Sequence, residues 1–393
     1  MIAENQAASR VVLSAFDEQL LKEQVEDCRS DVGGEVDLAV AFVTSDWLER
    51  ADDLLEVVQV YGHAKKVVVC SADGVIGTAE ENENVSGCTL QLFRLPNTEI
   101  DWAVVEQGEV ESAQGDRYWE SVTGIKAEGL AGFVVLGNPA LIDGETWLRS
   151  WNASYTDVPC FGGLASGGRD ASEIQIVTTE HREDVGALVL GFRGGVRLSG
   201  IVSQGCRPIG DPYTITSVDD NVLLSIGSRG AYEVLEETFQ DLDDSEKEIA
   251  QGNILAGLAV SEYKEELRSG DFLVRNILGG DPDAGALALG AIPRVGQTLQ
   301  FQLRDRDAAS TELKSLCKRQ LKDVGQPFAG LLFSCTGRGT RMFEVPNHDA
   351  GIIEDHFGRM PLAGFFCNGE IGPIGGTNFL HGYTASLALF LNA

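Results

Sequence analysis

Two short stretches set a thiol beside a guanidinium in a glycine turn. One is Cys335-Thr336-Gly337-Arg338-Gly339 and the other is Gly205-Cys206-Arg207-Pro208. A guanidinium placed in this way can meet a carboxylate through paired hydrogen bonds, and it can lower the pKa of a neighbouring thiol. Asn368-Gly369-Glu370 follows the apolar run 362–366. A carboxylate directly after a buried strand needs a partner, such as an amine or an arginine. Cys206, Arg207, Cys335, Arg338, Asn368 and Glu370 are therefore the candidate ligand-binding residues. Arg338 would hold a carboxylate and Glu370 an amine, with Cys206 and Arg207 facing them across a domain interface. Each has a plainer role to weigh against this. A buried strand thiol is the commoner state of Cys335, and a surface ion pair is about as common for Arg338.

Catalytic readings are less complete. A cysteine enzyme would use Cys335 as nucleophile, with His348 or His381 as base. A haem protein would use one of the five histidines as axial ligand. A lone histidine is more often structural. No phosphate loop, no Gly-x-Ser-x-Gly elbow and no His-Glu-x-x-His occurs, and Gly337-Arg338-Gly339 lacks the third glycine of a dinucleotide fingerprint. Cysteines 28, 70, 88, 160, 206, 317, 335 and 367 form no Cys-x-x-Cys and no zinc spacing. The expectation is a non-catalytic binding protein with no metal and no resident cofactor, haem being the one alternative.

The elements that must position these residues recur. Residues 37–44 (DLAVAFVT), 132–137 (GFVVLG) and 329–335 (AGLLFSC) read as buried strands. Each is followed by a helical stretch, ending near residues 61, 155 and 357. A second strand then enters a glycine turn: 66–70 into Gly74-x-x-Gly77, 158–161 into 162–168, and 362–367 into Gly369-x-x-Gly372. Three such turns from one repeated unit could converge on one site. The fold class expected is α/β, two related domains of mixed β-sheets flanked by helices, with repeated strand-helix-strand units. The boundaries expected are 1–34 for an N-terminal helical extension, 35–217 for a first domain and 218–393 for a second.

Composition narrows the partners. The chain has 393 residues, 60 acidic against 30 basic, for a net charge of −30. Nucleic acid and anionic membranes are repelled on average. No apolar run is long enough to span a bilayer, and the N-terminus carries no secretory signal. Unpaired thiols with no leader point to the cytoplasm.

Taken in order, the motifs resemble the FIST family, a FIST N domain followed by a FIST C domain. The likeness rests on Gly74-Val-Ile-Gly77, Phe161-Gly-Gly-Leu-Ala-Ser-Gly-Gly168, Gln204-Gly-Cys-Arg-Pro-Ile-Gly210, Phe333-Ser-Cys-Thr-Gly-Arg-Gly339 and the stretch 364–372 with His381-Gly-Tyr-Thr-Ala-Ser386. Leu278-Gly-Gly-Asp-Pro-Asp283 and residues 301–307 add to it. The resemblance implies a sensory module for small ligands, amino acids among them, coupled to a signalling partner. Some members are described as haem-binding sensors. It carries over no catalytic residue.

Overall fold

The computed structural model describes residues 4–168, 173–181, 185–261 and 270–393. The chain forms two compact units, Met1–Val202 with Lys314–Ala393, and Ser203–Leu313.

The larger unit is one motif used three times. The first copy runs β1 (Gln6–Val12), α1 (Glu18–Val32), β2 (Val36–Val43), α2 (Ser45–Leu48), α3 (Ala51–Gly62) and β3 (Ala64–Ser71), then β4 (Gly74–Gly77), β5 (Glu80–Glu83) and β6 (Cys88–Arg94). The second runs β7 (Thr98–Val105), α4 (Gln107–Ser112), α5 (Tyr118–Thr123), β8 (Leu130–Gly137), α6 (Gly144–Ser154), β9 (Cys160–Leu164), β10 (Ile176–Thr178) and β11 (Ala187–Gly194). The third opens with β12 (Val196–Ser203) and is then interrupted by the second unit.

That second unit contains β13 (Cys206–Pro208), β14 (Tyr213–Asp219), β15 (Val222–Ile226), β16 (Arg229–Gly230), α7 (Ala231–Gln240), α8 (Asp244–Ala250), β17 (Ile254–Ala259), β18 (Phe272–Asp281), β19 (Ala286–Leu289) and β20 (Thr298–Arg304). The pairing order β20-β14-β15-β19-β18-β17 returns to β20, so six antiparallel strands close a barrel. Closure removes the free edges that an open sheet would leave. Ile215, Leu223, Leu258, Leu287, Leu299 and Phe301 fill it.

The third copy then resumes with α9 (Arg306–Val324), β21 (Ala329–Cys335), α10 (Thr340–Phe343), α11 (His348–Phe357), β22 (Leu362–Cys367), β23 (Glu370–Ile374), β24 (Thr377–His381) and β25 (Ala385–Asn392).

Each copy centres on a parallel pair joined by a helical crossover: β2 with β3, β8 with β9, and β21 with β22. Parallel strands are buried on both faces and read as unbroken apolar runs. This explains why 37–44, 132–137 and 329–335 were visible in the sequence. Each pair is flanked on one side by two antiparallel strands, β6 and β1, β11 and β7, or β25 and β12. The other flank is borrowed. The short strand that follows β3 is β4, and it pairs with β22 of the third copy. The strand that follows β22 is β23, and it pairs with β9 of the second copy. The strand that follows β9 is β10, and it pairs with β3 of the first. The exchange runs round a closed ring of three, so no copy completes its sheet alone.

Two expectations change. Within the expected helical extension, residues 6–12 ahead of α1 form β1, which pairs along its length with β6 as the first copy's outer strand. The compact units also divide the chain elsewhere than at 217, because the strands after residue 328 complete the sheets begun before 203. The mixed α/β class and the strand-helix-strand repeat hold. All three repeats lie in one unit, and the other unit is the barrel.

Candidate functional site

The three strand ends meet through hydrogen bonds. Ser166, just past β9, donates its backbone N–H to the Ser71 carbonyl at 3.2 Å. Its hydroxyl donates to the Phe366 carbonyl at 2.5 Å and accepts from the Asp73 N–H at 2.9 Å. One buried serine thus ties all three copies together. Asn368 donates its N–H to the Leu164 carbonyl at 3.0 Å and its amide to the Ala165 carbonyl at 3.3 Å. The expected convergence of the turns is present, and it is tightly bonded.

The first copy's hairpin organises the loop that carries the candidate residues. β4 and β5 lie at the edge of the third copy's sheet. From β5, Glu83 accepts from the N–H and hydroxyl of Thr340 at 2.8 and 2.7 Å. Glu81 accepts from the Ala350 N–H at the start of α11, also at 2.8 Å. Carboxylates suit helix N-termini, where amides are unpaired and the dipole is positive. Glu81 is nearly buried, and burial together with the Asp349 charge pushes its carboxyl up to about 8.

Arg338 is fully buried. Its Nε donates to Asp349 Oδ2 at 2.7 Å and its Nη2 to Oδ1 at 2.9 Å. Nη1 reaches the Tyr383 carbonyl at 3.4 Å, and the guanidinium lies 5.2 Å from the Phe343 ring centre. Burial alone would raise the Asp349 carboxyl. The Arg338 charge and a hydrogen bond from His348 outweigh it and hold the group well below the usual carboxylate range. The carboxylate expected for Arg338 is thus supplied by the protein itself, eleven residues along. The exposed cation of the same loop is Arg341, which was not among the candidates. Its Nη1 donates to the Thr336 carbonyl at 3.1 Å, and its Nη2 stands 3.7 Å from Asp73 Oδ2 of the first copy.

Glu370 also faces inward. It is fully buried at the start of β23, accepts from the Thr384 N–H at 3.0 Å, and lies 3.3 Å from Cys367 Sγ. Its charge also acts on the nearby Cys335 thiol. Burial pushes Glu370 up to about 8, partly offset by these donors. Cys335 is part-exposed, whereas the other seven cysteines are buried. Its sulfur accepts from the Gly337 N–H at 3.4 Å. Burial, then the Glu370 charge, pushes its thiol up to about 12.

Cys206 and Arg207 belong to the other unit. There Arg207 pairs with Glu246 at 2.6 Å and Asp305 at 3.2 Å. Cys206 is buried at the start of β13, its Sγ 3.5 Å from the Gln204 carbonyl. Asn368 is exposed. The histidines expected as bases for Cys335 are engaged elsewhere: His348 Nδ1 with Asp349 at 2.8 Å and His381 Nε2 with the Gly372 carbonyl at 2.9 Å. The His348 ring also lies flat on Phe343, centres 3.4 Å apart, and His356 meets the Ile352 carbonyl. His63 and His181 are at the surface. Among the described residues, no group of three or more His, Cys, Asp or Glu could hold a metal ion, and no helix is long and apolar enough to cross a membrane.

The chain is 36% identical over 371 residues to an uncharacterised protein of Mycobacterium tuberculosis, covering 92% of each chain. It is 32% identical over 389 residues to one of Mycobacterium bovis, covering 95% of this chain and 96% of that one. Among solved structures it is similar to a cyanuric acid hydrolase from A. caulinodans, with a TM-score of 0.38, 9% identity and 99% of each chain covered. The FIST N domain model matches residues 37–229 and the FIST C domain model residues 231–373. These two matches span most of the sequence, and the chain belongs to the FIST family.

Proposed function

We propose that this protein is a cytoplasmic sensory module that binds a small zwitterionic ligand, of the amino-acid kind, and passes the signal to a partner protein. FIST domains are associated with signal transduction and small-ligand binding. The observation that carries the ligand class is the Asp73–Arg341 pair. The two side chains are 47% and 56% exposed, come from different copies of the repeat, and stand 3.7 Å apart. That is a long contact, and an exposed pair of this kind contributes little to stability. A ligand carboxylate takes the Arg341 guanidinium through two hydrogen bonds, and its ammonium takes Asp73. The exposed Asn368, the part-exposed Cys335 and the Thr336-Gly337 backbone border the same place. Arg338, Asp349 and Glu370 act beneath it by holding the loop.

A thermal-shift screen against the common amino acids tests the reading. A ligand that binds only the folded chain stabilises it by about 2.7 kcal/mol at 100 times its Kd. The expected result is a dose-dependent rise that Arg341→Ala and Asp73→Asn each abolish, with their unliganded melting unchanged. A rise that survives both variants would place the ligand elsewhere, and no rise with any amino acid would end the zwitterion reading.

A further inference from the structure

A second chemistry lies beside this mouth and does not depend on the ligand. Cys335 and Cys367 are register partners at the ends of parallel strands β21 and β22. Paired residues of neighbouring strands point to the same face, here that of Phe333 and Phe365. Adjacent strands run about 4.8 Å apart, within the roughly 4.4–6.8 Å that disulfides span between Cα atoms. Glu370 lies 3.3 Å from the Cys367 sulfur, and its charge acts on the Cys335 thiol. Cys335 is part-exposed and Cys367 is buried.

We propose that Cys335, Glu370 and Cys367 form a peroxide-reactive centre, in which Cys335 is oxidised first and Cys367 then closes a disulfide onto it. Exposure sets the order, since an oxidant in solution meets Cys335 and not Cys367. In the first step the Cys335 sulfur attacks a hydroperoxide oxygen. The S–O bond forms and the O–O bond breaks. The thiol proton passes to the Glu370 carboxylate and on to the leaving oxygen, giving water or an alcohol and a sulfenic acid. In the second step the Cys367 sulfur attacks the Cys335 sulfur. The S–S bond forms, the S–O bond breaks, and Glu370 carries the Cys367 proton to the departing hydroxide as a second water. Two thiols are oxidised by two electrons and one peroxide is reduced.

The proton carrier is essential because neither thiol ionises readily by itself. Burial pushes Cys335 up to about 12 and Cys367 well above its ordinary value. Glu370, pushed up to about 8, is a better matched acceptor than an ordinary carboxylate. The Gly337 N–H at the Cys335 sulfur steadies the negative charge that develops there.

The test treats the full-length reduced protein with equimolar hydrogen peroxide and maps its peptides without reduction. The expected product is a single 335–367 cross-link with two thiols lost per chain. Cys367→Ser should stop at a sulfenic acid on Cys335 that dimedone traps, and Cys335→Ser should leave Cys367 reduced. The wild-type rate should rise through about pH 8. Glu370→Gln, which keeps the shape of the neutral acid, should slow it at least about tenfold and remove that inflection. Should Glu370→Gln fail to fold, the wild-type cross-link and pH profile decide alone. Cys335 that stays reduced under these conditions, or that passes to a sulfinic acid with no link to Cys367 in a natively folded chain, overturns the proposal.

Discussion

Glu81 caps a helix that begins far along the chain. Its carboxylate accepts from the Ala350 N–H at 2.8 Å across a separation of 269 residues, and the Asn347 side chain accepts from the Glu81 N–H at 2.8 Å in return. The two bonds reproduce a capping box between a strand of the first copy and a helix of the third. The loop that holds Arg338 and Arg341 is therefore fixed by a hairpin that the first copy contributes to the third copy's sheet. Ring exchange of strands and rigidity of the candidate site have the same physical origin.

The first prediction concerns pH. Glu81 and Glu370 are both pushed from 4.5 up to about 8 in the folded chain. Between those values the native state keeps protons that the unfolded chain releases, so stability must fall as pH rises. The contribution is complete below about pH 4.5 and is lost through about pH 8. Asp349 works in the opposite sense, since its lowered value adds stability that disappears only in acid. Melting temperatures measured from pH 5 to 9 should therefore decline, and Glu370→Gln should flatten part of the slope. A melting temperature that climbs over this range would contradict the buried, neutral state of both groups.

The second prediction concerns the Arg338–Asp349 pair. Removing one partner leaves a buried charge without compensation, which costs about 3–5 kcal/mol. Arg338→Met and Asp349→Leu should each lower stability by roughly that amount. The double variant should recover much of the loss, because the desolvation cost disappears with the pair. Urea titrations of the four chains give the coupling directly. Additive losses would mean that the two side chains act separately.

The third prediction concerns Gly167. Its φ is +89°, and a Cβ there would sit 2.2 Å from the Ala72 carbonyl oxygen. The clash is with backbone at the junction of the copies, and it cannot be relieved by turning a side chain. Gly167→Ala should cost about 2 kcal/mol or more, from strain and displacement together. Gly124 has a similar φ of +73° but open space around it. Gly124→Ala should show the conformational part alone, about 1 kcal/mol. Equal losses at the two positions would argue against tight contact at the junction.

The central strands were legible because they are buried on both faces, whereas the expected turns at 74–77 and 369–372 are mostly the strands β4 and β23. Unbroken apolar runs such as 329–335 and 362–367 match β21 and β22 residue for residue. The outer strand β1 was not, because its burial does not alternate and its two valines could sit in several structures. The borrowed strands escaped for another reason. β4, β10 and β23 are three to five residues long and pair with distant segments, so local pattern carries almost no information about them. At the site, Cys335 and Glu370 were singled out from the sequence, yet their interaction was not. Glu81 and Glu83 were not among the candidates. Their spacing of two, which puts both on one face of a strand, was the available signal for two helix caps. Arg338 was singled out because it stands in a small-residue turn, where a guanidinium can meet a carboxylate. What buries Arg338 is Asp349, and only the turn through α10 brings the two together.

The fourth prediction follows from where the barrel is inserted. In the first copy, β1 is joined to α1 by five residues, 13–17. In the third copy the same connection, from β12 to α9, contains residues 204–305 and with them the strands of the barrel. All three sheets of the larger unit are built from strands outside this stretch. The core of Phe42, Phe333, Phe365 and Phe390 likewise uses only residues of that unit. Replacing 204–305 with a flexible linker of about five residues should leave a chain that folds cooperatively, since closure of a short loop costs little. Differential scanning calorimetry of the shortened chain should show one transition, and the Asp73–Arg341 variants should affect ligand binding there as they do in the full chain. A shortened chain that is soluble but lacks a cooperative transition would mean that the three copies are not self-sufficient. Retained folding with lost ligand binding would instead assign the barrel a share in recognition.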